Sequence, residues 1–105
     1  MEQPNLNYIE ELAAGSDAFK QKLIAIVKRE FPEEKETFLS NYQAKRYELT
    51  AENVHKLKHK IGMLGFEKGY EVAIAFENEL KDEEYSLYPD FIRILESIEA
   101  FLIKI

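Results

Sequence analysis

With 46% apolar and 32% charged residues in 105, the chain has enough apolar material for one core under a charged surface, and a single domain over residues 1–105 is expected. A net charge of −6 argues against a general nucleic-acid binder, and the lack of any cysteine excludes a disulfide framework or a thiolate metal centre. No apolar run approaches the length of a membrane span, and Met1-Glu2-Gln3-Pro4 lacks the basic and apolar regions of a signal peptide, so a cytoplasmic protein without membrane contact is expected.

In chain order, Asn5 is placed to cap a short helix through Tyr8, Ile9 and Leu12 that stops near Gly15. Ser16 or Asp17 caps a longer helix. Its apolar face begins with Phe19, Leu23, Ile26 and Val27 and continues through Phe31, Phe38 and Tyr42. Pro32 interrupts that pattern, since an interior proline removes a hydrogen bond and crowds the preceding turn. Because the apolar phase carries across it, one kinked helix ending near Arg46 is expected rather than two. Tyr47-Glu48-Leu49 reads as a turn and Thr50 as the N-cap of a third long helix running to about Gly65. A fourth, near residues 67–81, puts Tyr70, Ala73, Phe76 and Leu80 on one face. After the polar connection 82–86, a last helix carries Phe91, Ile94, Leu95, Ile98 and Leu102, with Pro89 tolerated in its first turn. No segment alternates as a strand does. The fold class expected is all-α: an antiparallel up-down four-helix bundle with a short additional N-terminal helix.

The third long helix holds the chemistry. At about 100° per residue, Val54, Leu57, Ile61 and Leu64 share one face. His55 then points outward, His59 and Gly62 follow one and two turns along the same outer face, and Lys58 flanks it. Met63 and Phe66 fall toward that outer side as an apolar part of a docking patch, although Phe66 can equally turn inward at the helix end. Nothing about inward packing requires Gly62, so a glycine there points to a close approach by another molecule. Residues 45–60 hold five cations (Lys45, Arg46, Lys56, Lys58, Lys60) against two acids (Glu48, Glu52). That is either a basic docking face on an acidic protein or a solvated helix surface.

His55 and His59 also have the i, i+4 spacing of two metal ligands, with Glu52 a turn before them. Lys56 stands where the zinc-protease pattern needs glutamate, three lysines crowd the pair, and no cysteine or third histidine is available. No metal is expected. P-loop, glycine-rich nucleotide loop and nucleophile elbow are missing, and the acids read as solvated faces rather than as an acid–base pair. The chain therefore lacks the parts to bind ATP and phosphorylate itself.

His55-x-Leu57-Lys58, followed by Gly62, Leu64 and Gly65, resembles the signature of histidine-containing phosphotransfer (HPt) domains in residue type and spacing. Phe76-Glu77 falls where that family usually has a Leu-Glu pair, while Asp17-Ala18-Phe19 and Phe31-Pro32-Glu33 resemble its preceding helix. His59 stands where the family most often has glycine, and Gly69 where it usually has leucine. The resemblance implies a phosphoryl carrier, not an enzyme, in a multistep two-component phosphorelay. His55 is then the phosphoacceptor and Lys58 neutralises phosphoryl charge, while Lys56, His59, Gly62, Met63 and Phe66 meet the partner. It implies as partners the receiver domain of a hybrid sensor kinase and that of a response regulator. The receiver supplies Mg²⁺, and this chain acts as a monomer with no cofactor of its own. The alternative is a helical adaptor that binds a receiver or another signalling protein without being phosphorylated.

Overall fold

The structure, a computed structural model, describes residues 2–105. Five helices follow one another: α1 Asn7–Ala13, α2 Asp17–Gln43, α3 Tyr47–Met63, α4 Glu67–Lys81 and α5 Tyr88–Lys104, with no strand among the described residues. α3 packs most extensively on α4 and next on α2. Neighbours run antiparallel, as their cross-links require: Asn41 bonds Asn53 and Glu30 bonds Lys60 between α2 and α3, while His55 meets Glu77 and Gly62 meets Tyr70 between α3 and α4. Phe31 and Phe38 of α2, Leu57 and Ile61 of α3, Phe76 and Leu80 of α4, and Phe91 and Leu95 of α5 are fully enclosed in one core.

The expected cap of α2 and its continuity hold, whereas the N-cap of α1 is Leu6 and not Asn5. Ser16 caps α2, its Oγ accepting from the Phe19 N–H at 3.2 Å. Pro32 lies inside an unbroken α2 on its exposed side, where water can satisfy the carbonyl that loses its partner.

Two boundaries differ from expectation, for one reason. α2 ends at Gln43 because Lys45 adopts a left-handed conformation (φ 60°), with Arg46 N–H bonded to the Asn41 carbonyl and Lys45 N–H to that of Tyr42. This is a Schellman stop without glycine. α3 consequently starts at Tyr47, and Thr50 is not its cap. Thr50 sits fully buried one turn inside, its hydroxyl donating to the Arg46 carbonyl at 2.8 Å.

The end of α3 decides where Phe66 goes. Gly65 takes φ 68°, Gly65 N–H bonds the Gly62 carbonyl and Phe66 N–H bonds that of Ile61. Phe66 thus occupies the position after the left-handed residue, from which an apolar side chain folds back onto the last turn. It is buried at 7% exposure, so it belongs to the core and not to a docking patch. Its ring fills the space above Gly69, where an added Cβ would stand only 2.6 Å from Phe66 Cδ1. The N-terminal segment closes the same corner: Asn5 N–H bonds the Leu64 carbonyl, and the Glu2 carboxylate accepts from the Lys68 and Gly69 N–H groups in the first turn of α4.

Candidate functional site

The antiparallel packing of α3 on α4 brings Glu77 opposite His55. Glu77 Oε2 and Oε1 lie 3.2 and 3.3 Å from His55 Nδ1, and Lys58 Nζ lies 3.2 Å from the same nitrogen and 3.5 Å from Glu77 Oε1. Lys81, one turn along α4, adds a second lysine at 3.6 Å from Oε2. The His55 side chain is 52% exposed, whereas Glu77 and Lys58 are 14% and 13% exposed. The imidazole is presented to solvent and the ions that hold it are tucked beneath.

Chemistry sorts these contacts. A carboxylate only accepts and an ammonium only donates, so both cannot bond Nδ1 at once. Lys58 has Glu77 as an alternative partner, and the enclosed carboxylate needs donors. The consistent arrangement is therefore Nδ1–H donating to Glu77, with Lys58 paired to the carboxylate. In the neutral ring that leaves the lone pair on Nε2, a nitrogen with no hydrogen bond among the described residues.

Burial works to raise the Glu77 pKa, but the His55 hydrogen bond and the charges of Lys58, His55 and Lys81 outweigh it, and the carboxyl is held below the ordinary 4.5. A carboxyl whose folded pKa is depressed adds stability above its ordinary pKa and loses it as pH falls through the lowered value. Glu77→Gln should accordingly lower the melting temperature near neutral pH, and the gap to wild type should close as melts are taken below about pH 4.5.

By sequence Lys60 belongs to the basic docking face. It is instead 12% exposed and turned to α2, with Nζ 2.9 Å from Glu30 and 3.2 Å from Glu34. Burial pulls the Lys60 pKa down, but bonds to these two carboxylates outweigh it and hold it above the usual value. Lys60 is an interhelical tie. Lys56 remains exposed, on the wall of an open groove of about 630 Å³ that runs from His55 between α3 and α4 over Ala51.

Gly62 is half-buried under the Tyr70 ring, not open to solvent as expected; a Cβ there would lie 3.3 Å from Tyr70 Cδ2 and 3.5 Å from Cε2. That ring borders an open depression and can yield a few tenths of an ångström. Gly62→Ala should therefore still stabilise the fold, by a few tenths to about 1 kcal/mol in chemical denaturation, through helix propensity. Met63 is half-buried against the core, and only His59 of the expected docking set beside Lys56 stays exposed, its ring centroid 5.2 Å from that of His55 at 85°. No three His, Cys, Asp or Glu side chains are grouped to hold a metal among the described residues.

From sequence Glu77 reads as a solvated acid, whereas it faces His55 and Lys58. The signal that would have found it is its place after Phe76, in the position of the Leu-Glu pair.

The antiparallel helical bundle displays the His55 imidazole from the middle of a helix, backed by a half-buried carboxylate and lysine. The Hpt domain family model matches residues 22–102, and the chain belongs to that family. Hpt domains act as phosphoryl carriers rather than enzymes and interact with receiver domains of sensor kinases and response regulators. No curated protein and no solved structure matches the chain significantly.

Proposed function

We propose that this chain relays a phosphoryl group between receiver aspartates in a multistep cytoplasmic phosphorelay, with His55 as the carrier. The observation that carries this reading is the Nδ1–Glu77 contact, which leaves the Nε2 side of a half-exposed ring free. Nε2 attacks the phosphorus of a receiver's aspartyl phosphate. The P–O bond to the aspartate breaks, its electron pair leaves on the carboxylate, and a P–N bond forms. The ring keeps its Nδ1 proton and becomes cationic, and the Glu77 carboxylate offsets that charge. Reversal onto a second receiver's aspartate follows the same path backwards. Positioning and electrostatics dominate such transfers, and the Mg²⁺ and the acidic pocket are the receiver's contribution.

Lys58 is the cation nearest the reacting ring, and Lys56 offers only a long-range field. Lys58→Ala should slow transfer at saturating receiver at low and high salt alike. Lys56→Ala should lower the association rate, with a deficit that shrinks as salt is raised. Lys60→Ala should lower the melting temperature by freeing Glu30 and Glu34 while leaving transfer rates near wild type. Rapid-quench transfer at two ionic strengths, with thermal melts, separates the three; equal salt-sensitive losses for Lys56 and Lys58 would reduce Lys58 to one charge among several.

The whole reading is tested by incubating the protein with a ³²P-labelled phospho-receiver. Acid-labile, base-stable label on the chain is expected. Stable binding of the receiver without label would make the chain an adaptor instead.

A further inference from the structure

The cations around His55 are unevenly placed. Lys60 is committed to α2. Lys58 is held on the Nδ1 side of His55 by Glu77, with its ammonium 5.9 Å from the Tyr70 ring centroid. Neither stands where a group carried on Nε2 would extend into solvent. His59 does. Side chains on an α-helix lean toward its N-terminus, so a residue one turn later overhangs the one before it. Its exposed ring stands edge-on to His55 with centroids 5.2 Å apart.

We propose that His59 is a direct contact of the phosphoryl group carried on His55, donating a ring N–H to a phosphoryl oxygen from the side that Lys58 does not reach. The inference rests on the reading of His55 as the carrier. An imidazole in either tautomer has one N–H to give, and its cation has two. The carried group offers three strong acceptor oxygens and close to two negative charges. Loss of a phosphoryl group from nitrogen passes through a loose transition state in which the group is metaphosphate-like. Its oxygens then carry less charge than in the bound dianion. A donor bonded to those oxygens therefore stabilises the loaded state more than the transition state and slows loss to water. His59 thereby acts on how long the phosphoryl group stays, not on whether it arrives.

The test uses the full chain loaded chemically with potassium phosphoramidate, which requires no receiver. The decay of phosphate on His55 is followed by site-resolved tandem mass spectrometry in wild type, His59→Ala and His59→Gln, with circular dichroism as the check on fold. The half-life of phospho-His55 should fall about three-fold in His59→Ala, the worth of one modest hydrogen bond. Recovery of at least part of that loss in His59→Gln, whose amide retains an N–H donor, is also expected. An unchanged half-life in His59→Ala, or a glutamine variant as short-lived as the alanine one, overturns the contact. Failure of a phospho-receiver to label wild type tells against the relay reading alone, because the chemically loaded decay is measured without one.

Discussion

His55→Gln is expected to abolish labelling from a phospho-receiver completely, while His59→Gln keeps it. Glutamine has no nitrogen lone pair able to attack phosphorus, so no residual rate through position 55 is available. The variant should nevertheless fold as wild type does. The His55 side chain is 52% exposed, and Glu77 retains Lys58 and Lys81 when the imidazole is gone. A partly exposed pair of this kind contributes up to about 1 kcal/mol, so the urea midpoint should move little. Label that survives His55→Gln and vanishes in His59→Gln would transfer the carrier role one turn along α3.

What was legible in the sequence was what periodicity and local spacing encode. The five helices, the inward stripe of Val54, Leu57, Ile61 and Leu64, and the outward His55 follow from residues a few positions apart. What it hid depends on pairings across space. Glu77 lies 22 residues from His55, and its acidity alone looks like any solvated helix face. Lys60 reads as part of a basic run until α2 supplies Glu30 and Glu34. The end of α2 was missed because Lys45, not a glycine, takes the left-handed position, and a lysine there carries no local signal. Gly62 reads as open to solvent until α4 supplies Tyr70. Glu77, Lys60 and Gly62 are each defined by the element packed against them, and Lys45 by a local backbone turn.

Gly69 and Phe66 carry the largest effect expected on the fold itself. Gly69 is buried in α4 with no backbone torsion that demands glycine, and helix propensity alone would favour alanine there by about 1 kcal/mol. The Phe66 ring stands in the way, because a Cβ would stand 2.6 Å from Cδ1 and 3.1 Å from Cε1 and Cγ, and that ring is only 7% exposed. Overpacking of this kind costs on the order of 1–3 kcal/mol, so Gly69→Ala should destabilise net by up to about 2 kcal/mol in urea denaturation once the propensity gain is subtracted. Phe66→Ala should cost about 3 kcal/mol or more by leaving a cavity between α4 and α5. The two positions share one volume, so their effects should not add. In the double variant Phe66→Ala, Gly69→Leu, the leucine enters the space the ring vacates, and this variant should be more stable than Phe66→Ala alone. A double variant less stable than either single one would mean that Phe66 is held by the Gly65 turn for some reason other than filling the space above Gly69.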